Sequence, residues 1–284
     1  MIDKVDALTV TSADGTTIGY YQLGRGPGLV VSHGGMGSAY NHIQQAQALA
    51  DTYTVYLPDR RGRGMSGPYR PGHGIRQDVA DLEAVIVTTG ARYLFGLSVG
   101  GAIALQAALT LSGIDKLAVY EPAAFTAPTD WLARFERELA AGRTAAALVT
   151  AMKGAQMGPA FMRAMPRRLL ELGTRQAMRS EERTGSGGYV QMRDLASTLL
   201  HDVRALVEMK GRLEDFRDLR AEVLLLGGSK TVPYQKASLA ALESVLPRSR
   251  RVELAGLGHE GPWNKERGGQ PERVAQELRS FYAP

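Results

Sequence analysis

The sequence contains no cysteine, which excludes disulfide bonds, a thiol nucleophile and cysteine-based zinc sites. No apolar run approaches the roughly 20 residues of a membrane-spanning helix. The chain does not open on a basic segment followed by an apolar stretch, as a secretory signal would. Lys and Arg (34) exceed Asp and Glu (29), but the arginines are spread out rather than clustered as nucleic-acid binding usually requires. We therefore expect a cytoplasmic protein that binds neither membrane nor nucleic acid.

Short apolar runs alternate with segments of helical periodicity along most of the 284 residues. The strand-like runs are 5–11, 16–22, 29–32, 54–57, 93–95, 117–120, 223–226 and 251–254. An Asp-Gly turn separates the first two runs and predicts a β-hairpin. The later alternation predicts an α/β fold, with a mainly parallel, doubly wound sheet and helices on both faces.

The segment 122–218 has a different character, with no convincing strand and with Ala, Arg, Leu and Met at helical periodicity. We interpret it as a helical insertion into a core formed by residues 1–121 and 219–284. Seven of the ten methionines lie here. Methionine can line an adaptable apolar pocket, or it can fill gaps between short helices.

One stretch, Gly96-Leu97-Ser98-Val99-Gly100, carries the pattern G-x-S-x-G between a predicted strand and a predicted helix. A serine at so tight a turn adopts an unfavourable backbone conformation, and glycines at 96 and 100 remove side chains that would collide there. The following helix N-terminus can stabilise an oxyanion. The pattern predicts Ser98 as a nucleophile.

A second glycine motif, Gly62-x-Gly64-x-x-Gly67, formally matches a dinucleotide fingerprint. That fingerprint requires a helix that begins at its third glycine. Here Pro68 and Pro71 follow, and a helix is predicted only from about Ile75. We therefore predict no dinucleotide, and we expect neither another cofactor nor a metal.

Ligands of open α/β sheets bind beyond the carboxyl ends of the strands, where several of the polar and glycine-rich loops fall. Acyl transfer by serine requires a base, an acid that orients the base, and N–H donors for the oxyanion. Of the five histidines, His259 is best placed as the base, in a glycine-flanked loop after the last strand. His33 is interpreted as a turn-former whose side chain holds its loop.

These motifs together resemble the α/β-hydrolase superfamily. The resemblance rests on the nucleophile elbow at 96–101, the His-Gly-Gly-Met-Gly loop at 33–37, the loop 59–67 and the Gly-His-Glu loop at 258–260. It spans about residues 5 to 282, and the insertion corresponds to the family's helical cap. It implies Ser98 as nucleophile, His259 as base, and oxyanion N–H groups from Val99 and from Gly35 or Met36. Relatives that open epoxides carry Asp in place of this serine.

The acid departs from the commonest family pattern, because residues 227–233 contain no carboxylate. Some relatives draw the acid from the preceding sheet strand, where this chain has Glu121. A buried carboxylate before Pro122 requires a partner, and His259 would be one, although a salt bridge to the cap is an alternative. Asp202, Asp218 or a dyad without any carboxylate are further alternatives.

The sequence thus predicts a cofactor-independent serine hydrolase that cleaves a small to medium carboxylic ester or related acyl substrate. Two alternatives come from other classes of the same fold. One is a non-hydrolytic enzyme of lyase, cofactor-free oxygenase or perhydrolase (haloperoxidase) type. The other is a ligand receptor. The expected partner is a small molecule, and a homo-oligomer is left open.

Overall fold

A computed structural model describes residues 5–123, 125–158 and 160–283 of the chain. Within these ranges eight strands form one sheet in the order β1-β2-β4-β3-β5-β6-β7-β8. The strands are β1 (Asp6–Thr11), β2 (Thr17–Gly24), β3 (Gly28–Ser32), β4 (Thr54–Pro58), β5 (Tyr93–Leu97), β6 (Lys116–Tyr120), β7 (Glu222–Gly228) and β8 (Ser249–Leu254). β2 pairs antiparallel with β1 and β4, and the remaining pairs are parallel. The predicted mainly parallel α/β sheet is confirmed.

The central strands are continuous apolar runs because helices cover both of their faces. These helices are α1 (Ile43–Leu49), α2 (Ile75–Thr89), α3 (Val99–Thr110), α9 (Pro233–Val245) and α10 (Pro271–Tyr282). Val30 and Leu94 pack on one face with side chains of α2, α3 and α9. Leu29 and Phe95 pack on the other face with side chains of α1 and α10. Because helices pack on both of its faces, the sheet is doubly wound.

The connection between β6 and β7 holds α4 (Leu132–Ala140), α5 (Thr144–Gly154), α6 (Ala160–Ala164), α7 (Arg167–Thr184) and α8 (Met192–Glu208). Asp202 of α8 ties this helical segment to the core, because its carboxylate accepts bonds from Arg60 at 2.8 Å and Arg63 at 3.0 Å. In the part of the chain that the structure describes, no helix is long and apolar enough to cross a membrane.

The segment that leads into α1 contains a buried histidine. It begins as a 3₁₀ turn, Ala39–His42, whose first N–H, that of Ala39, donates to the Asp59 carboxylate at 2.8 Å. His42 is fully buried, with Nδ1 3.0 Å from Oε1 of Gln45. Burial lowers the pKa of His42 to about 4, because the charged imidazolium would lose its hydration.

We expect His42 to make the fold sensitive to acid. The unfolded chain binds a proton at pH ~6.5, whereas the folded chain binds it only near pH 4. The contribution of the neutral His42 ring to the stability of the fold is therefore complete above pH ~6.5. As the pH falls towards 4, the free energy of unfolding decreases by about 3 kcal/mol. Urea unfolding at pH 7 and pH 4.5 measures the loss. His42→Gln, which keeps a donor for Gln45, should show a smaller loss, and an equal loss in both proteins contradicts the assignment.

Candidate active site

Ser98 lies on a strained turn between β5 and α3, with φ 55° and ψ −121°. L-residues rarely adopt this conformation, and it persists because the surroundings impose it. A Cβ on Gly100 would lie 2.3 Å from the carbonyl oxygens of Ser32 and His33. A Cβ on Gly96 would meet the following helix backbone at 2.5 Å. The two glycines therefore allow the backbone approach that the sequence pattern predicts.

The turn is bonded to the neighbouring strand, β6. The Ser98 N–H donates to the carbonyl of Tyr120 at 3.0 Å. Because Leu97 pairs with Tyr120 in the sheet, Glu121 follows β6 at the same edge as the serine. Glu121 is 0% exposed and itself has a positive φ of 46°. Its N–H donates to the carbonyl of Leu226 at 2.9 Å, which fixes it between β5 and β7.

The carboxylate of Glu121 accepts three hydrogen bonds. Oε2 lies 2.7 Å from Nδ1 of His259. Oε1 accepts the N–H of Gly228 at 2.8 Å and the hydroxyl of Thr231. These donors offset the cost of burying the charge. The structure thus brings the predicted base and the predicted acid together.

Two backbone carbonyls of the loop that carries His259 accept hydrogen bonds, one from a side chain of β6 and one from the loop after β7. The Tyr120 hydroxyl donates to the carbonyl of Gly258 at 2.8 Å, and burial raises the pKa of this phenol, so that it stays a donor. The Lys230 N–H donates to the carbonyl of Leu257 at 2.9 Å. A Cβ on Gly228 would lie 2.1 Å from that same carbonyl oxygen. Only glycine allows so close an approach.

With Nδ1 bonded to Glu121, Nε2 is the imidazole nitrogen left for a reacting proton. The side chain of His259 is 14% exposed, so the ring remains accessible. Among the described residues, the Ser98 hydroxyl forms no hydrogen bond with His259. Catalytic hydrogen bonds are often long in unliganded enzymes and shorten when substrate binds.

The loop after β3 carries the predicted oxyanion donors and is shaped by His33. Nε2 of His33 accepts the Arg60 N–H at 3.0 Å, so the proton is on Nδ1, which donates to the carbonyl of Gly34 at 2.9 Å. Burial lowers the pKa of His33 well below its usual value, which keeps the ring neutral for this paired role. The structure agrees with the interpretation of His33 as a turn-former.

Three backbone N–H groups near Ser98 are suited to an oxyanion. Met36 has a positive φ of 53° and Gly35 precedes it at the turn. Within the described chain, neither N–H donates to a protein acceptor. Val99 is the first residue of α3, where an N–H has no intrahelical partner.

The other two carboxylates considered as the acid lie elsewhere. Asp202 is bonded to Arg60 and Arg63, and Asp218 is exposed on a 3₁₀ turn. Neither contacts His259 within the residues described.

Two neutral side chains of this site were missed by the sequence analysis. Thr231 bonds to the Glu121 carboxylate, and the Gln235 amide lies 2.9 Å from Nδ1 of His259. Thr231 lies in the loop after β7, where the commonest family pattern predicts a carboxylate, so its position was the available signal.

The fold is that of the α/β-hydrolase class, and a serine, a histidine and a glutamate lie at the carboxyl edge of its sheet. The model of the Alpha/beta hydrolase family matches residues 29–277, and the chain belongs to that family. A curated relative, the pimeloyl-(acyl-carrier protein) methyl ester esterase of Xanthomonas axonopodis pv. citri (strain 306), is 26% identical over 264 residues, covering 92% of this chain and 97% of that protein.

Solved structures are similar over almost the whole chain. An alpha/beta hydrolase from Sphaerobacter thermophilus DSM 20745 has a TM-score of 0.77 and 26% identity, covering 97% of this chain and 100% of that one. A thermophilic esterase from Thermogutta terrifontis has a TM-score of 0.66 and 19% identity, covering 97% of both chains. The similarity to the Thermogutta terrifontis esterase shows the fold alone. The chain is thus an alpha/beta hydrolase with ester-cleaving relatives.

Proposed function

We propose that this protein is a cofactor-independent serine hydrolase that cleaves a small to medium carboxylic ester through an acyl-enzyme on Ser98. The observation that carries the proposal is the 2.7 Å contact between His259 and the buried Glu121, beside a serine held at φ 55°. The esterase names of the curated relatives support the same reaction. A site that only bound a ligand would have no need of this pair.

In the proposed reaction, Nε2 of His259 removes the hydroxyl proton as Ser98 Oγ attacks the ester carbonyl. The buried Glu121 carboxylate fixes the tautomer of the neutral imidazole and stabilises the imidazolium that forms. N–H groups of Val99 and of Gly35 or Met36 stabilise the oxyanion. His259 then protonates the leaving alcohol. Water, activated by the same imidazole, releases the acid and restores Ser98.

We further propose that the segment 122–218 acts as a cap that contacts the substrate. Met36 of the oxyanion loop packs against a cluster that contains Leu148 of α5, Met178 of α7 and Ala196 of α8. An apolar part of the ester placed at Met36 would meet these side chains. Methionines at this contact suit substrates of varied shape.

Labelling with a small dialkyl fluorophosphate tests the proposal, since this reagent modifies serines that a neighbouring base activates. We expect rapid modification of the peptide that contains Ser98 in the native protein. The urea-unfolded protein is the control and should not react. Equal rates for native and unfolded protein, or modification elsewhere only, would overturn the proposed function.

A further inference from the structure

A second polar side chain meets the imidazole nitrogen that Glu121 contacts. The side-chain amide nitrogen of Gln235 lies 2.9 Å from Nδ1 of His259. Gln235 is 1% exposed, and its Oε1 has no hydrogen-bond partner among the described residues. The acid–base pair therefore has a third member, which comes from the first turn of α9.

The orientation of that amide is decided by the proton on Nδ1. Glu121 can only accept at 2.7 Å, so Nδ1 carries the proton in the tautomer whose Nε2 acts as a base. An amide NH₂ directed at the same nitrogen would place two donors face to face. The amide oxygen and nitrogen exchange places by a half-turn, and their assignment follows the hydrogen-bond network. The half-turn directs Oε1 at the Nδ1–H.

We propose that Gln235 is a positioning residue for His259, whose side-chain carbonyl shares the Nδ1–H with the Glu121 carboxylate and so holds the imidazole in its basic tautomer. This inference rests on the proposed serine hydrolase function. Two acceptors on one N–H restrict rotation of the ring more than one acceptor does. They also stabilise the imidazolium that forms when Ser98 loses its proton.

The scaffold around Gln235 is rigid enough for this role. Its N–H donates to the carbonyl of Val232 at 3.1 Å at the start of α9. The hydroxyl of Ser238, one turn later, donates to the carbonyl of Pro122 at 2.7 Å. This bond joins α9 to the residue directly after Glu121. Both acceptors for His259 are thus fixed to one another.

The two phenols beside the pair supply no competing charge, and solvent screens the carboxylate next to His259. Tyr120 precedes Glu121 and Tyr234 precedes Gln235. Burial raises the pKa of both phenols, to about 12 for Tyr234, so both are neutral at working pH. Glu260 is exposed to solvent beside His259. The Gln235 orientation therefore has a measurable effect on the acid limb of the reaction.

The test is the rate of Ser98 labelling by the dialkyl fluorophosphate between pH 4 and pH 9, in wild type and in Gln235→Met. Methionine keeps approximately the same shape and removes both the donor and the acceptor. We expect the rate at neutral pH to fall about three- to tenfold. We expect the midpoint of the acid limb to move to lower pH by about half a unit to one unit, since the imidazolium loses an acceptor.

The direction in which the midpoint of the acid limb moves tests the inference. If the amide NH₂ faced Nδ1, its removal would favour the imidazolium, and the midpoint would rise; a rise overturns the inference. A lower rate with an unmoved midpoint also overturns it, because this is what a packing role alone would give. Gln176→Met, an exposed glutamine of α7, is the matched control and should leave both quantities unchanged.

A second measurement uses the wild-type protein and does not depend on the folding of a variant. Nitrogen-15 NMR of the His259 ring, above the acid limb, identifies the neutral tautomer. A proton on Nδ1 supports the inference, and a proton on Nε2 overturns it, because Nδ1 would then accept from the amide. Failure of wild-type Ser98 to react would instead reject the proposed function, so the two failures are distinct.

Discussion

Ser98→Ala is expected to lower the turnover of an activated ester by about three to six orders of magnitude. The substitution removes the attacking oxygen and leaves His259 and the oxyanion donors in place. Alanine at φ 55° carries the same backbone strain as serine, so no new strain is introduced. Turnover of p-nitrophenyl acetate at neutral pH measures the effect. The thermal unfolding midpoint should change by no more than a few degrees.

A serine away from the site is the matched control for this substitution. Ser244 is exposed on α9, where its hydroxyl donates to the carbonyl of Ala241 at 2.7 Å. We expect Ser244→Ala to keep wild-type turnover. If the Ser98 variant also keeps it while folded, the proposed acyl-enzyme is wrong and the ligand-receptor or non-hydrolytic alternative becomes the better explanation.

The parts of the fold that could be predicted are those set by local chemistry. Buried parallel strands require apolar runs, and the strained turn at Ser98 requires glycines at 96 and 100. The turn-forming role of His33 was predictable for the same reason, since its ring bonds to the carbonyl of the next residue, Gly34. The same ring also accepts the Arg60 N–H of the neighbouring loop. Each of these features leaves a pattern within a few consecutive residues.

The acid could not be chosen from the sequence because its partner is distant along the chain. Glu121 and His259 are 138 positions apart, and the registers of β6, β7 and β8 bring them together. Asp202 was a weaker alternative for the acid, and its arginine partners lie about 140 positions away along the chain. No local sequence pattern specifies the register between strands that are distant along the chain.

Neutral members of the site were harder still to predict. Thr231 and Gln235 carry no charge, and a threonine or glutamine at a helix start has many ordinary uses. Their roles follow only from what they contact, namely the Glu121 carboxylate and the His259 ring.

The second large effect is expected from Glu121→Gln, which should lower ester turnover by about three to four orders of magnitude. The amide has nearly the same shape but no charge to stabilise the imidazolium. Thr231 and the Gly228 N–H donate to Oε1, so they favour the orientation that keeps the amide oxygen there. The NH₂ group is then directed at Nδ1 of His259 and favours the tautomer that cannot act as a base at Nε2.

Glu260→Gln is the matched control, since Glu260 is exposed and directly follows His259. It removes an equal charge from the loop that carries His259, and we expect less than a threefold change in turnover, because solvent screens an exposed carboxylate. Comparable losses in the two variants would mean that the general field at His259, rather than the bond to Glu121, sustains catalysis. Full activity of Glu121→Gln would identify a serine–histidine dyad. A large loss confined to Glu121→Gln assigns the acid to the end of β6, where three donors hold its buried carboxylate.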